Sequence, residues 1–524
     1  MMALVVAILT FSCYPSRDAP RLDTTAQKAK RVPAQCGATN RSQAPRTPSC
    51  PGGCPESGSL LWVRTIFSFH DGTLTSGVAA LESGGILVAG TVGRDGIVES
   101  SASTRQVLEV THDGARIFLA RYEADGSLGW IQRIEGATSR VPPRVASAAD
   151  GSFFVASGYY PHAVLPSEDG EIRLDSSDGA GGLFVAEYWS DGRLTWVEQA
   201  NGPSDERPEA IAIAPGGGVF VSGHMGPTLT LAPGKSNELQ LEGQLGEGDA
   251  FIASFDCEGG LIWAQRGGGN SERDIMLGVA GVSEGGAVVT GSSLGRFTSG
   301  KYVEPKPEGR EYIFLARYDA EGEVTWFERA GTLAGDDGVA RGVAARADGG
   351  FVVIGSFNAQ AVFGRDGPNE VTVTGAGGQS DTDVFVTRYD AAGSPLWAVR
   401  AGGLGPDVPN GIALLHDGSA IVTGTFMEEA SFDSSDGSSL SLTSAGQSDA
   451  FVARVDPEGR WTWVERAGGP GRDEGLAVTI TTDGLAVVVG RYFNGSTFGK
   501  GARVEQRDLP DDVIPAGFVA AYAP

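Results

Sequence analysis

Cysteine is scarce in this chain, and its placement excludes a staple framework. Cys13, Cys36, Cys50 and Cys54 precede residue 55, and Cys257 alone stands in the body of the chain, in a turn where it reads as incidental. That is no disulfide-dense scaffold, although an oxidised pairing among Cys36, Cys50 and Cys54 suits an exported protein. Cys50-Pro-Gly-Gly-Cys54 has no second cysteine pair and no histidine beside it, which argues against a structural zinc site. Histidine is equally thin: His70, His112, His162, His224 and His416 are scattered, and no two stand at metal-ligand spacing. No Ser-His-Asp or Cys-His set announces itself. Helical periodicity is missing, so there is no glycine loop between a strand and a helix to cradle phosphate. Positive charge is short too, with 40 Lys and Arg against 65 Asp and Glu and a net charge of −25. A polyanion such as nucleic acid is therefore excluded as a partner. The one apolar run, residues 1–13, is too short to span a bilayer.

What the chain has in abundance is repetition. Ile313–Phe357 reads IFLARYDAEGEVTWFERAG, an Asp-containing connector, then GVAARADGGFVVIGSF. The same pattern recurs around Trp62, Trp130, Trp196, Trp263, Trp326, Trp397 and Trp463, at spacings of 68, 66, 67, 63, 71 and 66 residues. A fixed period of this length identifies a repeat architecture. Within the Trp326 unit, Ile313–Tyr318, Val324–Arg329, Arg341–Arg346 and Phe351–Ser356 are short apolar runs bounded by Gly and Asp, which is a strand signature. Asp-Gly and Gly-Gly pairs supply the positive φ that tight hairpins need, and they account for 78 glycines in 524 residues. A segment of about twenty residues, often with a further β-like piece such as Val371–Thr374 or Leu440–Thr443, precedes the next copy.

Four antiparallel strands in a repeat well over 40 residues long predict an all-β, seven-bladed propeller. A strand solenoid has shorter repeats. The chain ends support the ring. Leu60–Thr65, with Trp62, has no partner strand before it, and Gly517–Tyr522 has no tryptophan strand after it. Joining them completes the seventh blade and leaves no open sheet edge. In each blade the tryptophan strand, such as Leu396–Arg400, is expected outermost. The seven tryptophans are expected to pack between blades near the rim as repeat core. Each burial is worth roughly 2–3 kcal/mol, and truncation to Ala costs about 3–5 kcal/mol.

The phrases DAFVARVDPEG (Asp449–Gly459), NGIALLHDGSAIVTGTF (Asn410–Phe426) and AGGPGRDEGLAVTI (Ala467–Ile480) resemble the bacterial seven-bladed propeller repeat family known as SBBP. The resemblance runs from about Leu60 to the end, and it implies the fold and an envelope or extracellular setting but no particular reaction. A weaker similarity is to the propeller repeats of quinone-cofactor dehydrogenases and outer-membrane assembly lipoproteins. Asp319 to Gly322 spans three residues here against four in that docking motif, and the sialidase Asp-box is shorter still. Neither transfers a site.

Three regions follow: 1–13 as a secretion signal, 14–58 as a tether and 59–524 as the propeller. Thr10-Phe11-Ser12-Cys13 resembles a bacterial lipobox, with Leu9 one place early and Phe11 bulky, so Cys13 is the expected lipid anchor. The tether holds seven Pro, seven Lys or Arg and three acidic residues. That composition cannot bury a core and reads as disordered.

Candidate chemistry lies in two aspartate sets. Asp71, Asp205, Asp274, Asp337, Asp407 and Asp473 recur in the connector after the tryptophan strand, and Asp249, Asp383 and Asp449 stand just before the third strand. Both loop types open on one face of a propeller. One reading is a cation site, with Asp274, Asp337, Asp407 and Asp473 offering oxygens to Ca²⁺. The other is that each carboxylate braces its own blade, paired with Arg133, Arg266, Arg329, Arg400 or Arg466, three residues after each tryptophan. Repetition in nearly every blade favours bracing. Asp175-Ser-Ser-Asp178-Gly179 and Asp433-Ser-Ser-Asp436-Gly437 lack the full ligand series of a calcium loop and read as polar turns.

The functional expectation is a non-enzymatic, monomeric, envelope-anchored or secreted binding or scaffold module for a protein or glycan, without a cofactor. It meets the membrane only through its anchor. The alternatives are a lyase or hydrolase at the channel mouth and a periplasmic assembly scaffold. The insertions Gly93–Ala115, Tyr160–Gly182 and Arg296–Glu311 are where an enzyme's departures from the repeat would sit.

Overall fold

The computed structural model describes residues 56–524 apart from 70–71, 94, 102–103, 109–115, 138–140, 177–180, 205, 244–247, 270–273, 305–310, 332–337, 378–380, 501–503, 511–512 and 514. Cys13, Cys36, Cys50, Cys54, Asp71, Asp205 and Asp337 lie outside the described residues.

Every element among the described residues is a strand, and the strands pair antiparallel. The unit carrying Trp463 shows how sequence makes this sheet. Its strands are Val408–Leu414, Ala420–Phe426, Asp449–Val455 and Trp461–Gly468, hydrogen-bonded in that order. The middle two are near-continuous apolar runs because the sheet is covered on both faces, and they are almost wholly buried. Asp456-Pro-Glu-Gly459 turns the third strand into the fourth. Its Asp456 carboxylate accepts the N–H groups of Glu458 and Arg460, and Gly459 takes φ +83.

The same four-strand order recurs along the chain, its first two copies joined in one eleven-stranded sheet. We number them by their first strands: Leu74–Ala80, Arg144–Ser147, Arg207–Ile213, Ile275–Gly281, Val339–Ala345, Val408–Leu414 and Glu474–Ile480 are units 1 to 7. Unit 7 takes its fourth strand from the start of the described chain. Leu60–Phe67 pairs with Ala516–Tyr522, Trp62 opposite Ala521 and Ile66 opposite Gly517. The ends meet as Gly58 donates to the Ala523 carbonyl (2.8 Å) and Ala523 to that of Ser59 (2.9 Å).

The first strand of each unit packs on the first strand of the next, and that of unit 7 packs on that of unit 1. Hydrophobic clusters follow the same cycle. One joins units 5 and 6 through Ile354, Val386, Val422 and Phe451, and another joins units 7 and 1 through Trp62, Val487, Val519, Val88 and Phe118. The core therefore lies in the seams between sheets. At the inner end the seams are backbone-close. A Cβ on Gly411 would stand 2.9 Å from Ala477 Cα, and one on Gly278 would stand 3.0 Å from Gly342 Cα. Only glycine fits such an approach.

One expectation needs correction: outside unit 4, whose sheet ends on Val324–Ala330, the tryptophan strand is not outermost. The segment between a unit's second and third strands folds into a hairpin that reaches back over the preceding unit. Glu429–Asp433 and Ser439–Thr443 of unit 6 extend the unit 5 sheet, with Gly402 opposite Ser431. Gly96–Glu99, Thr228–Leu231, Thr298–Ser299 and Ser496–Phe498 begin the equivalent hairpins on units 7, 2, 3 and 6. In unit 2 the long strand Phe153–Ser167 does the same to unit 1. Each hairpin covers a sheet edge that would otherwise present unpaired N–H and C=O groups.

Candidate functional site

The aspartate sets meet at the seams. Asp249 and Asp274, Asp383 and Asp407, and Asp449 and Asp473 stand side by side, each pair flanking one glycine. A Cβ on Gly268 would be 2.6 Å from Asp249 Oδ1 and 2.7 Å from Asp274 Oδ2. The backbone sets this approach: Asp407 N donates to the Thr382 carbonyl and Asp473 N to that of Ser448, both at 2.8 Å. The strand-3 members pair with arginine, Asp249 with Arg266 (2.9 Å), Asp383 with Arg400 (3.2 Å) and Asp449 with Arg466 (2.8 Å). The connector members accept backbone donors. Asp407 takes Gly403 N (2.8 Å) and Met427 N (3.0 Å), and Asp473 takes Gly469 N (2.7 Å) and Phe493 N (2.8 Å). Asp274 takes Gly269 N (2.8 Å) and the Ser293 hydroxyl.

All six are buried. Burial lifts the Asp407 carboxyl to about 7 and those of Asp274 and Asp473 to about 6, against backbone donors that pull the other way, and the neighbouring aspartate adds to the rise. Burial also raises Asp383 and Asp449. Each carboxylate thus clamps a connector to the end of the following sheet. Among the described residues no group of three or more His, Cys, Asp or Glu is arranged to hold a metal ion. Asp274, Asp407 and Asp473 each accept hydrogen bonds from within the protein.

A second latch joins the units near the outer edge. The indole N–H of Trp62, Trp130, Trp196, Trp263 and Trp397 donates at 2.9–3.1 Å to the carbonyl of Ala124, Ser190, Cys257, Ala320 or Pro457, in the turn of the next unit. The positive-φ glycine of that turn backs onto the ring. A Cβ on Gly322 would meet Trp263 at 2.6 Å, and one on Gly58 would meet Trp463 at 3.2 Å. Trp62, Trp263 and Trp463 are buried, whereas Trp130, Trp196, Trp326 and Trp397 are half-buried. Cys257 is not an incidental thiol: it is disulfide-bonded.

The first strands depart from the repeat at a few polar positions. Arg144 of unit 2 pairs with Glu209 of unit 3 at 3.1 Å, and Glu209 also supports the charge of the half-buried Arg341 of unit 5, which desolvation disfavours. Glu209, Arg341 and Asn410 each sit at the bulge of their first strand. Sequence reasoning missed these residues because it weighed loops. Comparing first strands column by column would have exposed them, since Leu277 and Leu476 hold the same position in units 4 and 7.

No protein-family profile matches the chain. An uncharacterised WD-repeat-containing protein of Acanthamoeba polyphaga mimivirus is 21% identical over 493 residues, covering 80% of this chain and 34% of that protein. The regulatory protein FlaEY of Caulobacter vibrioides is 26% identical over 219 residues, 41% of this chain and 22% of that protein. The chain thus spans about a third and about a fifth of the curated relatives it matches. Among solved structures, a gluconolactonase from Xanthomonas campestris aligns with TM-score 0.22 and 13% identity, over 57% of this chain and 95% of that one.

Proposed function

We propose that the chain is a seven-bladed β-propeller that works as a binding or scaffold module for a protein or glycan partner and acts as a monomer. The cycle of first-strand contacts and seam clusters supports the ring. The WD-repeat relative suits the same reading. The observation that carries the function is the outer rim. Among the described residues eight large apolar side chains are exposed; Val107, Tyr160, Ile172, Val303 and Val504 stand on or beside the hairpins that wrap the edge, and Trp189, Leu396 and Leu404 lie elsewhere. The hairpins thus carry most of the apolar surface open to a partner, while polar groups of the repeat are engaged in holding the seams.

The setting is the cell envelope or the cell surface, in keeping with the SBBP resemblance, the lipobox-like Cys13 and a disulfide at Cys257, a bond that persists in oxidising compartments. Site-specific photo-cross-linking in the native cells tests the reading. A cross-linker at Ile172 or Val303 should give covalent adducts, and one at Asn410 should give none. Adducts from Asn410 alone would move the function to the centre of the ring and favour the enzyme alternative, for which Arg144, Glu209 and Arg341 are the polar convergence. No adduct from any position would sink the binding reading.

A further inference from the structure

Three units carry a glutamate two residues after the tryptophan: Glu198, Glu328 and Glu465. In units 2 and 6 the next unit's hairpin supplies its cation. Lys235 caps Glu198, and Lys500 Nζ stands 2.5 Å from Glu465. Both of these glutamates are buried. Unit 4 breaks the pattern. Phe363-Gly364-Arg365 reproduces Phe498-Gly499-Lys500, yet Arg365 turns aside and donates through Nη2 to the Gly331 carbonyl at 3.0 Å. Glu328 Oε1 accepts the Gly364 N–H (2.7 Å) and the Tyr389 hydroxyl (3.3 Å), and among the described residues Oε2 accepts no hydrogen bond. Among the described residues no Lys or Arg nitrogen pairs with Glu328.

The hairpin does not extend the unit 4 sheet: among the described residues its backbone pairs with unit 4 only through the bridge of Gly331 with Val362. Between them lies a cavity of about 410 Å³ whose lining includes Trp326, Glu328, Arg329, Arg365, Asp366 and Asn369. Trp326 departs from most of its siblings. The carbonyl of Ala391, which matches the acceptors used by five other indoles, accepts Arg317 Nη1 at 3.1 Å but not the indole, whereas Ser190 and Pro457 accept both the matching arginine and the indole. The Trp326 N–H, like that of Trp463, has no acceptor among the described residues. Its ring meets the next turn through Cε2, Cζ2 and Nε1 rather than through Cδ2 and Cε3.

We propose that this cavity receives the ammonium group of a lysine side chain on a protein partner, held by Glu328 Oε2 beside the Trp326 indole. Its occupant rests on the rim-binding reading above, but its chemistry stands by itself. The intramolecular ammonium of units 2 and 6 shows what this position takes. A carboxylate half out of water with no counter-charge gains from a cation, and an indole face adds a cation–π contact. Exposed Asp366 and Glu370 beside the mouth favour a cation's approach. Burial lifts the Glu328 carboxyl to about 7, so the site gains charge and affinity as pH rises through neutrality.

The test uses the full chain labelled with 5-fluorotryptophan, with the Trp326 fluorine resonance assigned by Trp326→Phe. Nα-acetyl-lysine methylamide is the probe, and the norleucine analogue is its uncharged control. The lysine probe should shift the Trp326 resonance saturably at about millimolar concentration, roughly tenfold more tightly at high than at low pH across the Glu328 titration. The shift should vanish in Glu328→Gln. It should also vanish in Arg365→Lys, which places a lysine where Lys500 sits, with an unchanged melting temperature showing that both variants fold. An equal shift with the norleucine compound or in Glu328→Gln, or no saturable shift at all, overturns the proposal. Probe binding without rim cross-links would keep the pocket and remove the protein-partner reading.

Discussion

At the residue scale, single side chains in this protein do two jobs at once. The turn Asp456-Pro-Glu-Gly459 caps itself through its aspartate, offers the Pro457 carbonyl to Trp397 and lays Gly459 against the indole. Four residues thus specify both a turn and its docking on the neighbouring unit. The paired aspartates store a pH dependence. Burial, reinforced by Asp383, raises Asp407 to about 7 from 3.8. The folded state therefore holds this proton more tightly than the unfolded chain does. The stability it contributes is complete below about pH 4 and is lost as pH rises through about 7. Asp274 and Asp473 share the sign, with the window closing near 6. Asp407→Asn cannot take that proton, and its amide turns one N–H donor against Gly403 or Met427. It should cost about 1–3 kcal/mol, and urea midpoints of the two proteins should converge as pH rises through about 4 to 7. A gap that widens with pH would show that Asp407 is held charged.

At the scale of elements, strands and turns were legible because each local signal agreed with the fold. Ile313–Tyr318, Val324–Arg329 and Phe351–Ser356 all lie within strands of the structure. Val371–Thr374 and Leu440–Thr443 are strands as well, but their destination was hidden. Nothing in a period-two pattern says that a hairpin will cross to the preceding sheet, since that depends on a long-range pairing such as Gly402 with Ser431. The Glu328 cavity was hidden for a related reason, because it exists only through what Arg365 fails to reach. The inner strands make a sharper demand. Gly411→Val should destabilise by at least about 2 kcal/mol, because its branched side chain would overpack against Ala477 Cα and Val478 N, and backbone cannot move aside as a side chain can. Thermal unfolding measures this, and because Gly411 does not have a positive φ the loss reports steric overlap rather than backbone strain.

For the whole molecule, the question is whether the cycle is held by closure or by each seam separately. Repeat arrays with open ends unfold as sums of neighbouring interfaces, and losing a terminal repeat costs only its share. A closed ring responds differently. Leu60–Phe67 supplies the fourth strand of unit 7, an indole for unit 1, and the Ile66 of the cluster joining those units. Removing it bares the edge of Ala516–Tyr522 and opens two seams. A chain starting at residue 56 removes every possible partner of the Cys257 disulfide while keeping all the strands, so it is the reference for shorter chains. One starting at residue 68 should lose a single cooperative transition and self-associate through the bared edge. A circular permutant joining Pro524 to Glu56 and opened at the exposed turn Asp436-Gly437 should melt with the chain starting at residue 56, because its new ends interrupt no seam. If the chain starting at residue 68 melts with the one starting at residue 56 and stays monomeric, the seams are independent and the first-strand cycle does not act as a closed ring.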